Sequence, residues 1–140
     1  MQTVLAADTG LADRLLDLWA ACTVAKMHNS TLTASVPTSW KTSWNYDFSK
    51  VHIPECTLIQ SPKITSCKHG QNPYRPGVYG DQLTLHTCQY GTITPKSLYE
   101  HKELYGLQDV SLESFVETYE SIAKQTYLDA NRHKMAIMPG

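Results

Sequence analysis

A surplus of charge of either sign is missing from this sequence: twelve Lys and Arg stand against thirteen Asp and Glu, a net charge of -1. Proteins that grip nucleic acid by its phosphates carry a basic surplus on the scale of the domain, so that class is set aside. Long apolar runs are missing too. None approaches the roughly 20 residues that span a bilayer, and the first residues do not follow the basic-then-apolar order of a secretory leader. We therefore expect no membrane segment, with the cytoplasm favoured and a secretory lumen open to a longer form carrying an anchor. Cysteine is sparse: Cys22, Cys56, Cys67 and Cys88 are four in 140 residues, far below the density of a disulfide-stapled mini-protein, and reduced thiols are expected. Asn29-Ser30-Thr31 fits the N-glycosylation pattern, but that tripeptide is common by chance and abuts an expected strand. Internal repeats, low-complexity tracts, a P-loop lysine, a kinase signature and a serine–histidine–acid order are all absent. Nothing supports a hydrolase or a phosphoryl-transfer enzyme.

What is present begins with residues 3 to 36. The apolar run Thr3-Val4-Leu5-Ala6-Ala7 breaks at Asp8-Thr9-Gly10. It passes into Leu11, Leu15, Leu18, Trp19, Cys22 and Ala25, which fall at i, i+4, i+7, i+8, i+11 and i+14. That spacing predicts a helix over 11–28 with one buried stripe, leaving Asp13, Arg14, Asp17 and Lys26 on other faces. Thr31 to Val36 is extended again. Two short strands separated by more than twenty residues suit a parallel βαβ unit, with 3–7 and 31–36 as neighbours. The fold class expected is α/β: a Rossmann-like parallel sheet with flanking helices and long irregular loops. At 140 residues the chain has room for one such domain.

Further along, Pro37 to Tyr46 is an aromatic loop whose Trp40 and Trp44 suit either a sugar-stacking surface or packing against the domain. One short strand is expected at 57–60. Residues 61–80, rich in proline and glycine, read as irregular, and loops that long are uncommon unless functional. Leu83 to Cys88 alternates like a strand. Thr94-Pro95 is an N-cap followed by proline at the first helical position, and Gly106 a stop, which predicts a helix over 95–105. Ser111, with Val110 and Phe115 placed as a hydrophobic staple, opens another to about 125. Lys134 to Met138 reads as a further extended run, so residues 1–140 are expected to be the front of a longer, two-domain protein.

The candidate site is the turn Thr9 to Leu16. A glycine there lets the chain reverse, and backbone N–H groups at the helix start, with one arginine, suit phosphate or a set of sugar hydroxyls. Spacing alone also allows Arg14 to pair with Asp17 along the helix surface. Asp8 and Asp13 are possible bases or hydroxyl-orienting groups, and equally possible first-turn acids favoured by the helix dipole.

The segment Thr9 to Leu16, followed by Trp19, Ala25-Lys26 and Asn29 to Thr33, resembles the opening of fucosyltransferase-like glycosyltransferases, in which a G-x-G-[ND]-R-[LI] turn begins the first helix. Tyr46-Asp47-Phe48, Thr94-Pro95-Lys96 and Phe115, Tyr119 and Ile122-Ala123 are similar to the N-terminal half of such proteins. The resemblance implies two facing Rossmann-like domains, a nucleotide-sugar donor, commonly GDP-fucose, as substrate rather than cofactor, and a glycan acceptor. It makes Gly10, Asp13 and Arg14 substrate-binding residues and leaves the catalytic residue unassigned. Two departures stand out. Ala12 replaces the second glycine of the turn, and the donor-binding H-x-R motif has no counterpart in His52-Ile53-Pro54, His86-Thr87-Cys88 or His133-Lys134-Met135. The catalytic half is therefore expected beyond residue 140.

Two other classes compete. A non-catalytic carbohydrate-binding or interaction domain would use the loops Trp40–Tyr46 and Asn72–Tyr79. A small zinc module would draw on Cys56, Cys67, His69, His86 and Cys88, soft ligands apt for tetrahedral zinc. Their one-residue gaps are tighter than the usual spacers, and alternation along a strand explains His86 and Cys88 without a metal, so none is assigned.

Overall fold

A computed structural model describes residues 1–4, 11–37, 52–61, 76–85 and 93–132, with side chains described except at 4, 11–14, 36–37, 60–61 and 129–132. Strand β1 (Gln2–Val4) runs parallel to β2 (Leu32–Pro37), with Thr3 opposite Ala34, and helix α1 (Leu11–Met27) joins them. The expected βαβ unit is present. β2 continues outward to β3 (Cys56–Ser61), also parallel and in register from Leu32↔Cys56 to Pro37↔Ser61.

On the other side of β1 lies β5 (Gln82–Thr84), parallel to it, and outside that β4 (Gly77–Tyr79), antiparallel. The described strands thus form one five-stranded sheet in the order β3-β2-β1-β5-β4. The architecture is mixed α/β with a mostly parallel sheet, compatible with a Rossmann-like fold. β4 corrects the expectation that residues 61–80 are irregular throughout. It forms because a two-residue turn, Gly80-Asp81, returns the chain onto β5, with Gly80 at φ 61.

Helix α2 (Pro95–Glu100) begins as its sequence demands. The Thr94 hydroxyl accepts from the Ser97 amide at 3.1 Å, and the Ser97 hydroxyl accepts from the Thr94 amide at 2.8 Å. The single helix expected over 95–105 is in fact α2 followed by a 3₁₀ turn, Lys102–Tyr105, closed by Gly106 at φ 68. Helix α3 (Leu112–Arg132) runs well past the expected end near 125. Phe115, Tyr119, Ile122 and Thr126 line its buried face.

α1 departs from the single-stripe expectation. Every residue from Asp17 to Ala25 is buried, because the sheet covers one side and α3 the other. Ala20, Ala21 and Thr23, small enough to read as neutral in sequence, lie off the apolar stripe and are fully buried all the same. Lys26 is exposed as expected, but Asp17 is 2% exposed. α1 is the middle of the core rather than its lid.

Candidate functional site

The order of strands creates a switch point. From β1 the chain steps to β2 and β3 in one direction, whereas β5 flanks β1 on the opposite side. In open α/β sheets ligands bind beyond the carboxyl ends of the strands where the order reverses, since the connections there diverge to opposite sides and leave a crevice. Residues 5–10 connect β1 to α1 at this position. Of the substrate-binding residues expected from sequence, Asp13 and Arg14 fall in the first turn of α1, where backbone N–H groups have no partner within the helix. Their side chains, and Asp8, Thr9 and Gly10 entirely, lie outside the described residues. So do Trp40, Trp44 and Tyr46 of the carbohydrate-binding alternative.

The face of α1 that carries Asp17 is not solvated, and the Arg14 side chain that would pair with it lies outside the described residues. Asp17 is in the core, and its negative charge acts on two buried phenols. Burial first and the Asp17 charge second push Tyr105 up to about 12. The same two causes raise Tyr119 further. The Tyr119 hydroxyl donates to the Ile93 carbonyl at 2.9 Å, and the 3₁₀ turn is tied to the end of α1 where His28 Nε2 donates to the Tyr105 carbonyl at 2.5 Å.

A second constellation was not visible in sequence. Cys22 on α1 and Cys56, the first residue of β3, are unbridged thiols whose sulfurs lie 2.9 Å apart. Cys22 is 2% exposed and Cys56 partly exposed. Cys56 is held by the turn before it: its amide donates to the Ile53 carbonyl, and Glu55 takes φ 68, a left-handed conformation uncommon for a residue with a side chain. Both cysteines line a cleft of about 80 Å³ between α1, this turn and α3, whose lining also includes Lys26, Glu55, Ser121 and Gln125.

The two thiols are unequal. Burial raises Cys22 well above the ordinary thiol value, and the neighbouring Cys56 adds to the effect. Cys56 is lowered, chiefly because Cys22 supplies a hydrogen bond to its sulfur, with Lys26 assisting against partial burial and the charge of Glu55. With both protonated either sulfur can donate; once Cys56 ionises, the shared proton stays on Cys22.

Among the described residues no cluster of three or more His, Cys, Asp or Glu is placed to hold a metal. Cys67, His69, His86 and Cys88 of the zinc alternative lie outside them, and the described member, Cys56, has Cys22 beside it. Asn29 of the glycosylation tripeptide is exposed and takes φ 53, reversing the chain after α1. Among the described residues no helix is long and apolar enough to cross a membrane.

Compared with known proteins, the chain matches no family model, no curated protein and no solved structure.

Proposed function

We propose that this chain is the N-terminal, Rossmann-like domain of a two-domain glycosyltransferase that uses a nucleotide sugar, with GDP-fucose the leading donor, and a glycan acceptor. The observation that carries the reading is the position of β1. It is the strand at which the sheet changes direction, and its connection to α1 contains Gly10 and leads directly into Asp13 and Arg14. A glycine that lets the backbone reverse, helix N–H groups with spare hydrogen-bonding capacity and an arginine fork suit an oxygen-rich ligand.

Arg14→Ala tests it. In the complete enzyme the substitution should lower transfer at least tenfold, equivalent to about 1.4 kcal/mol of transition-state stabilisation, with the unfolding midpoint little changed. Normal turnover in that variant overturns the assignment. Residues 1–140 alone should transfer no sugar, because the proposal places the donor-phosphate arginine outside them, and measurable transfer by this chain refutes that division of labour.

A further inference from the structure

We propose that Cys22 and Cys56 form a redox-active dithiol site that takes low-molecular-weight disulfides from the cleft, Cys56 attacking and Cys22 resolving. The inference stands apart from the glycosyltransferase reading, since it concerns the opposite end of α1 and the start of β3. Thirty-four residues separate the two cysteines in sequence, yet α1 and the turn ahead of β3 bring their sulfurs to 2.9 Å. Contact alone would describe two core thiols. The cleft makes the difference, because both cysteines line a space that opens to solvent.

The division of roles follows from position. Cys56 is the partly exposed member, while Cys22 is buried in α1. Thiolate fraction and access determine which sulfur attacks. The hydrogen bond from Cys22 and the nearby Lys26 ammonium favour a thiolate at Cys56 and outweigh the opposing Glu55 carboxylate, whereas burial keeps Cys22 protonated. A cleft of about 80 Å³ corresponds to roughly two to three waters, enough for the sulfur-bearing end of a small disulfide but not for a folded protein partner. The remainder of such a ligand would lie against a lining that carries the Lys26 ammonium and the Ser121 hydroxyl beside the Glu55 carboxylate.

The chemistry closes without another reactant. The Cys56 thiolate attacks one sulfur of the small disulfide; that S–S bond breaks, a thiolate leaves, and it takes up the proton Cys56 had released to solvent. Cys56 is then joined to the other half of the ligand. Cys22 gives its proton to the second leaving thiolate as its sulfur attacks the Cys56 sulfur, and the product is a Cys22–Cys56 disulfide plus two small thiols. Two electrons have passed from the protein to the ligand.

Glutathione disulfide and the reduced full chain provide the test, read by peptide mass mapping without reduction. Wild type should lose two hydrogens to a Cys22–Cys56 bridge, at a rate about tenfold or more above modification of Cys67 and Cys88, since thiolate character and access set the rate. Cys22→Ala should accumulate the glutathione adduct on Cys56, and Cys56→Ala should leave Cys22 a thiol while the chain is folded. The wild-type map decides by itself if Cys22→Ala does not fold. Persistence of both thiols while Cys67 or Cys88 reacts, a bridge from either to Cys67 or Cys88, or an unresolved adduct on Cys56 in wild type each overturn the proposal.

Discussion

Replacing Thr126 with valine tests how α1 is held to α3. The indole Nε1–H of Trp19 donates to the Thr126 hydroxyl at 2.7 Å, and these residues are 3% and 2% exposed. The same hydroxyl donates onward to the Ile122 carbonyl at 2.8 Å, so it both receives and gives. Trp19 cannot turn its N–H to water, because its ring meets Tyr119 edge-on at 6.1 Å and Tyr127 at 5.6 Å between centroids. Valine fills the space of threonine and opens no cavity, so the cost isolates the stranded indole donor at about 1–3 kcal/mol. At roughly 4 °C per kcal/mol for a chain of this length, the midpoint of thermal unfolding should fall by about 4–12 °C. Thr126→Ser keeps the acceptor and should lose only the buried methyl, about 0.8 kcal/mol. Urea unfolding followed by far-ultraviolet circular dichroism measures both, with tryptophan fluorescence as a second probe. If Thr126→Val stays within about 0.5 kcal/mol of wild type, the bond does not hold the helices together and the reasoning fails.

Gly77→Ala places a Cβ 2.9 Å from the Leu104 carbonyl oxygen at a residue with φ 154, so β4 must move off the 3₁₀ turn. A loss of more than about 1 kcal/mol in chemical denaturation is expected, and an unchanged midpoint would refute the contact. Thr94→Ala removes the cap on α2 and should cost about 1 kcal/mol by the same measurement, whereas no change would show the cap to be idle. Alkaline stability follows from Tyr105 and Tyr119, which are neutral when protonated and raised in the fold above the unfolded value of about 10. Their contribution is complete below about pH 10 and is lost as pH rises through the folded value, about 12 for Tyr105. Tyrosinate absorbance from both should therefore accompany unfolding. Asp17→Asn removes the negative charge beside them and should move the tyrosine transitions down in pH. Ionisation unaltered by that change would exclude the Asp17 contribution.

The βαβ unit was legible because its signals are local: apolar spacing for α1, short extended runs for β1 and β2, and a connection of suitable length. The start of α2 was legible for the same reason, as Thr94, Ser97 and Pro95 act on one another within a single turn. α3 was cut short because Thr126 reads as polar in a list of residues, while in three dimensions its hydroxyl is spent on Trp19 at a separation of 107 positions. Burial on every side of α1 from Asp17 to Ala25 was hidden by Ala20, Ala21 and Thr23, whose small size identifies no face. β4 depends on pairing with β5 more than on its own three residues. At the sites the division is similar. The turn containing Gly10 and the arginine at position 14 can be found by pattern, whereas the Cys22–Cys56 pair exists only after α1 and β3 have packed.

The placement of β1 also bears on the order in which this protein can assemble during synthesis. β1 and α1 leave the ribosome before the other elements of the sheet, and β2 follows directly after α1. The other flank of β1 must wait for Gln82, paired with Gln2, and for the Leu83 carbonyl that accepts the buried Thr3 hydroxyl at 2.9 Å. α1 waits longer still for α3. Until Gln82 emerges the strand destined for the middle of the sheet is an edge, with open hydrogen-bonding groups of the kind that recruit other chains. Distant pairings of this sort slow folding, so the growing chain needs protection most between the emergence of β3 and that of α3.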